Sequence, residues 1–374
     1  MQLPPALQRA IDEELAAHNP AQLRAAASRL SQCYRQASDG ASAGAPYLPS
    51  LGRRGSGSGG PLSDDLHRAA YLAVRMPATY ASVVSALGWT RQACGEAWSE
   101  DEALSETGGE ASGDRIGDPI TTMLDLGSGP GTALWAAAQL FPTLRSATAI
   151  ERDPRLIEIA RRLAGHAPAG QSEDELLRRV TWLQGDLKSA LPQGRWDLVV
   201  CSYVLNELAE APRAELIRQA WARTAKLLVL VEPGTRAGFA NVLEARNSLL
   251  ASGATLAAPC PNSLACPMSE GGDWCHFAAR VERTAGHRRL KEATLGYEDE
   301  KFSYVAFIRT PLTRIALENE LQLPPSRIVR HPRIFSGHTQ LTLCREGQIA
   351  ATTVTRAQKE AWRRLKRLGW GDSW

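Results

Sequence analysis

The segment Met123-Leu-Asp-Leu-Gly-Ser-Gly-Pro-Gly-Thr132 constrains the fold more than any other. An apolar run ends in Gly127-x-Gly129-x-Gly131 and passes at Ala133 into a helical pattern. Glycines without a Cβ let the backbone turn sharply from strand to helix and approach a ligand closely. Downstream, short β-rich runs alternate with helical segments: Thr121–Leu126, Ser146–Ile150, Arg179–Gln184, Asp197–Cys201 and Lys226–Val231. Such βαβ alternation predicts a parallel sheet with helices on both faces. Lys301–Arg309 and Thr339–Cys344 are two later strand candidates, the last taken as a final antiparallel strand.

A dinucleotide fold would want G-x-G-x-x-G, and here the third glycine comes one residue early. An acid on the strand, Asp125, followed by G-x-G-x-G is the pattern of S-adenosylmethionine (SAM) methyltransferases, whose ligand carries an amino group for an acid to hold. Gly127, Ser128, Gly129 and Gly131 would pack on it. The next strand ends in Glu151, placed to take ribose hydroxyls. The third ends near Asp186, within reach of the adenine amino group. Asp153, just before Pro154, reads as a helix cap. After the fourth strand comes Ser202-Tyr-Val-Leu-Asn206-Glu207 rather than the Asn/Asp-Pro-Pro-aromatic of amino-group methyltransferases. Asn206 and Glu207 are the catalytic candidates. Cys201 is a weak nucleophile candidate because it falls inside a strand.

The expected architecture is therefore α/β: a SAM-methyltransferase-like (Rossmann-type) sheet at residues 119–350, preceded by an α-helical domain at 1–98. A Gly/Ser-rich loop at 39–61 interrupts the helical part, an acidic linker spans 99–118, and a basic helix or tail occupies 351–374. From Glu96 to Asp118 eight acids face one base, whereas Glu320–Trp374 holds ten Lys/Arg against four Asp/Glu. That asymmetry points to a polyanionic partner for the carboxyl-terminal part.

A cysteine-rich insertion is expected at 256–292. Only seven cysteines occur in 374 residues, yet Cys260, Cys266 and Cys275 fall within sixteen, and Cys344 lies downstream. Pro261 and Pro267 stiffen the chain after two of them. Four thiolates suit zinc or an iron–sulfur cluster. Gaps of five, eight and sixty-eight residues fit the paired spacing of a zinc knuckle poorly and the larger cluster better. The hallmark spacing of radical-SAM enzymes is absent. Cys33, Cys94 and Cys201 read as core cysteines. The expected chain path puts the four thiolates at the sheet edge opposite the ligand-holding strand ends, as a structural clasp.

Early acids (Asp12, Glu13, Glu14), no apolar signal core and no membrane-length apolar run lead to an expected bacterial, cytoplasmic location, with no membrane and no DNA partner.

Further segments stand out beside Leu124–Gly131, Cys260–Phe277 and Cys344: Tyr71-Leu-Ala-Val-Arg-Met-Pro-Ala-Thr-Tyr80, Glu232-Pro-Gly-Thr235, Asp299-Glu-Lys-Phe-Ser-Tyr304 and Trp370-Gly-Asp372. On these residues, over about 62–374, the chain resembles the bacterial and mitochondrial methyltransferase-like proteins of the small ribosomal subunit, the yeast mitochondrial small-subunit protein family. The resemblance implies a 4Fe-4S cluster on Cys260, Cys266, Cys275 and Cys344, and a role in small-subunit maturation and translation with 16S-type rRNA as partner. The basic surface expected to meet that RNA comprises Arg280, Arg283, Arg288, Arg289, Lys291, Arg327, Arg330, Arg333, Arg363, Arg364, Lys366 and Arg367. Whether such a chain turns over SAM, or only binds it while assisting assembly, is left open by these residues.

Overall fold

The computed structural model describes residues 1–39, 64–94, 119–167, 172–269, 272–291, 294–309 and 326–374. The acidic linker and, beyond Asp39, the Gly/Ser-rich loop lie outside the described residues.

The main sheet begins with β1 (Thr122–Leu126), β2 (Ser146–Glu151), β3 (Thr181–Gln184), β4 (Trp196–Ser202) and β5 (Thr224–Pro233). These five lie parallel in the order β3-β2-β1-β4-β5. The order reverses between β2-β1 and β1-β4, which opens a crevice at the carboxyl ends of β1 and β4, where α/β sheets bind ligands. The sheet continues through β6 (Thr255–Ala258), β7 (Phe277–Glu282) and β8 (Tyr297–Ile308). β8 is antiparallel to β5 on one side and to β6 and β7 on the other.

Side chains alternate between the two faces, as the period of a strand requires. Met123, Ala149, Leu198, Val200, Leu227 and Val229 face one core, and Leu124, Ile150, Val199, Leu228 and Leu230 face the other. The second face is covered by α8 (Glu210–Arg223) and α9 (Arg236–Ala251). The first is covered by α5 (Thr132–Leu140), α6 (Pro154–Gly165) and α7 (Ser172–Arg178). The amino-terminal helices α1 (Pro5–Ala16), α2 (Pro20–Asp39), α3 (Asp65–Val74) and α4 (Met76–Ala93) share that same core. The Asp153 carboxylate caps α6 by accepting from the Arg155 N–H at 2.9 Å.

One element differs from expectation. Thr339–Cys344 does not close the main sheet. It belongs to β11 (His338–Arg345), the centre of a second sheet with β9 (Arg327–Ile328), β10 (Arg333–Ile334) and β12 (Gln348–Thr355). The antiparallel strand of the main sheet is β8 instead. The reason is that β6 and β7, from the cysteine-bearing segment, take the outer edge of β8 and leave no room for another strand. Helix α11 (Lys359–Leu365) packs Leu365 against Ile328, Leu341, Leu343 and Val354 on one face of the small sheet. α10 (Ala285–Lys291) joins β7 to β8.

Candidate functional site

The glycine loop adopts left-handed backbone at Gly127 (φ 70°), Gly129 (φ 52°) and Gly131 (φ 85°). A Cβ on Gly127 would stand 2.4 Å from Val204 Cγ2, whereas one on Gly129 would meet nothing within 4 Å. The loop thus grips the end of β4 at one glycine and leaves open space at the next. Backbone N–H groups of Gly127 and Ser128 donate to the Ile150 carbonyl at 2.9 and 3.0 Å. Glu151 accepts from the N–H groups of Gly129 (2.9 Å) and Asp153 (2.8 Å), so it braces the loop as well as facing the crevice.

The crevice is a cavity of about 160 Å³ whose lining includes Gly127, Gly129, Glu151, Asp186, Tyr203 and Glu207. Beneath the loop Asp125 is buried, and neither carboxylate oxygen has a protein hydrogen-bond partner. Burial, and then the Glu151 charge, push its carboxyl up to about 8. Ser128 Oγ is likewise buried and unpartnered. Unsatisfied buried polar groups are costly, and a ligand that pairs with them removes that cost. Asp125 and Ser128 lie beneath the loop and outside the crevice lining, while Glu151 and Asp186 face the crevice and offer carboxylates to a ligand with hydroxyl and amino groups.

The fourth wall comes from the amino-terminal helices. Tyr71, Arg75 and Thr79 line the same cavity. The Arg75 guanidinium donates to both Glu300 oxygens (3.2 and 3.0 Å), and the Tyr203 hydroxyl donates to Glu300 Oε1 at 3.3 Å. Tyr203 is a non-glycine residue at φ 62°, a strained backbone position of the kind that gathers at functional sites. Arg75 and Tyr203 carried no isolated motif as site residues. Only the fold brings the α3–α4 junction over the end of β4.

The catalytic candidates separate. Asn206 is buried, its amide held by Glu232, and its carbonyl oxygen accepts from Asn241 Nδ2 at 2.9 Å. It does not line the crevice. Glu232 also accepts the Leu205 and Asn206 N–H groups, which fixes the turn after β4. Glu207 keeps an exposed edge but faces the crevice, and burial of its carboxyl, with the Glu151 charge, pushes it up to about 7. Cys201 is buried in the core and its thiol is pushed up by burial and by Glu232, so it is no nucleophile.

The four cysteines Cys260, Cys266, Cys275 and Cys344 line one apolar cavity with Met268, Tyr304 and Val329. Burial, and then the neighbouring cysteines, push the Cys275 thiol up and the Cys344 thiol to about 12. Among the described residues no group of three or more His, Cys, Asp or Glu side chains is placed to hold a metal ion. The expected position at the opposite edge is corrected. Ser303, which pairs with Glu232 at the carboxyl end of β5, donates to the Cys275 carbonyl at 2.7 Å. β6 runs parallel to β5, because both oppose β8, and leads into Cys260 at that same edge. The cysteines therefore lie on the ligand-binding edge, displaced sideways past β5 and β8. The physical cause is the direction of β8, which starts at this edge and descends from it.

The family model of the mitochondrial small ribosomal subunit protein Rsm22 matches residues 118–374. The chain belongs to the Rsm22 family. It is 27% identical over 264 residues to the ribosome assembly protein METTL17, mitochondrial, of Homo sapiens, covering 67% of this chain and 54% of that protein. It is 28% identical over 297 residues to the Rsm22-cox11 tandem protein 2, mitochondrial, of Schizosaccharomyces pombe, covering 67% of this chain and 38% of the other. The chain thus spans about half the length, or less, of the curated relatives it matches. Among solved structures it is similar to the magnesium protoporphyrin IX methyltransferase of Synechocystis with bound SAM. The identity is 15% and the TM-score 0.33, with 51% of this chain and 71% of the other covered. The SAM-methyltransferase-like, Rossmann-type assignment rests on the strand order given above.

Two expectations change for this Rsm22-family chain. The bacterial cytoplasmic location is overturned, since the family model and both relatives are of mitochondrial proteins. No helix among the described residues is long and apolar enough to cross a membrane. The basic surface also contracts. Arg327 is buried and donates to the carbonyls of Pro259 and Gly371. Arg283 and Lys291 pair with Glu298, Arg280 with Asp299, and Arg330 with Asp273. Arg288, Arg289, Arg333, Arg363, Arg364, Lys366 and Arg367 remain exposed.

Proposed function

We propose that this protein is a SAM-binding factor for assembly of the small ribosomal subunit, holding a 4Fe-4S cluster and contacting rRNA. The observation that carries the SAM reading is the buried, unpartnered Asp125 carboxylate under a glycine loop whose open side faces Glu151 and Asp186. Family membership and the name of the human relative support the ribosomal role and a mitochondrial setting. Cys260, Cys266, Cys275 and Cys344 would hold the cluster. The Cys266, Cys275 and Cys344 thiols, pushed up by burial, ionise readily beside a positive metal centre. When bound, the cluster would supply a structural clasp between the cysteine loop and β11, and no step depends on it.

Calorimetry with SAM, followed by labelled methyl transfer to precursor small subunits from cells lacking the protein, tests this reading. Binding without transfer is expected. A second reading, an active rRNA methyltransferase, is favoured by one observation: Glu207 lines the crevice together with Glu151, where a carboxylate could take a proton from a substrate. Labelled rRNA in the same experiment, lost in Glu207→Gln, would establish it.

A further inference from the structure

The small sheet has one covered face and one open face. Leu341, Leu343 and Val354 point to α11. The alternate residues of β11, His338, Gln340, Thr342 and Cys344, lie on the other face. Cys344 ends that face at the cysteine cavity. At its opposite end Phe335 and His338 stack across a tight turn, with ring centroids 4.6 Å apart and planes at 11°. The Phe335 N–H donates to the His338 carbonyl at 2.9 Å, which fixes the turn. Phe335 shares the open face with Arg333 and His338 and remains 47% exposed, while Ile334, which pairs with Thr339, turns to the opposite face.

The surroundings say what such a pair would meet. Arg333 precedes it, and the Arg356 N–H donates to Gly337 in the turn. Between Ser326 and Lys359 the one acid is Glu346, at the far end of β11. A ring pair on an open strand face, flanked by arginine, hydroxyl and amide side chains and with Glu346 and Glu360 as the nearby acids in sequence, suits an unstacked base with its phosphates. A protein partner would want a wider apolar patch around Phe335, and its neighbours on that face, Arg333, His338, Gln340 and Thr342, are polar or basic.

We infer that the open face of the β9–β12 sheet is a single-stranded RNA platform, with a base stacked on Phe335. This rests on the proposed rRNA contact and locates it. The test uses the full chain with a small-subunit rRNA transcript and with a short oligouridylate. Phe335→Ala should weaken oligouridylate binding about tenfold, with the salt dependence of affinity unchanged. Phe335→Trp should retain binding. Arg333→Ala should instead lower the salt slope by about one. Failure of the wild type to bind the transcript would sink the rRNA reading itself. Transcript and oligouridylate binding unaltered by Phe335→Ala would overturn the platform alone. So would a variant that binds both RNAs normally but no longer joins the small subunit, since that would make the face a protein contact.

Discussion

Arg75 and Glu300, 225 residues apart in sequence, form a two-pronged ion pair that ties the start of α4 to β8 over the crevice. Both side chains are largely shielded from water, at 15% and 16% exposure. The Tyr203 hydroxyl joins the same carboxylate oxygen, so one acid holds three elements around the cavity.

Glu300→Ala should loosen this wall. Removing one partner of a well-shielded pair strands the other charge, and the cost approaches ~3 kcal/mol at the buried limit. Thermal unfolding should move down by several degrees, and calorimetry should show weaker SAM binding. Glu300→Gln, which keeps one acceptor, should lose less. Unchanged SAM affinity in Glu300→Ala would separate the ion pair from the ligand site.

The raised carboxyl of Asp125 sets a pH dependence. Its pKa of about 8 in the folded chain exceeds the ordinary carboxylate value near 3.8. The folded state therefore holds the proton more tightly than the unfolded state. Its contribution is fully present below about pH 4 and is lost as pH rises through 8. Glu232, pushed up to about 8 by burial, acts in the same direction. Ligand-free protein should lose thermal stability between pH 5 and pH 8, and Asp125→Asn should flatten that slope. A slope identical in the variant would refute the assignment.

Gly234→Ala should be severely destabilising. A Cβ there would stand 2.6 Å from the backbone of Lys301 and Phe302, where the Gly234 N–H donates to the Lys301 carbonyl at 2.8 Å. Backbone cannot yield as a flexible side chain does, so β5 and β8 would have to part. Circular dichroism melts would read the loss. A variant melting within a degree or two of wild type would contradict the close approach.

Anaerobically purified protein should be brown, absorb near ~400 nm and carry roughly four irons per chain. Cys344→Ser should lose the colour and free β11 from the cysteine loop, detected as faster proteolysis between the two sheets. Stoichiometric zinc without iron in the wild type would overturn the cluster.

Much of the ligand crevice was legible in the chain because it is local. Gly127, Gly129 and Gly131 adopt the backbone that the spacing required, and Glu151 and Asp186 follow successive strands into one cavity. The four cysteines likewise line one cavity, although two lie 84 residues apart. Strand period and glycine geometry act over a few residues, so sequence alone determined the parallel sheet, its loop and the acids beside it. Tertiary structure decided the rest. It set the direction of β8, which moved the cysteines to the ligand edge. It removed β11 to a second sheet, and it buried Arg327 among backbone carbonyls. It also brought Arg75 to Glu300 and left Phe335 in the open. Each of these depends on which distant strand wins an edge and which charges meet across the fold, and no local pattern of residues encodes that competition.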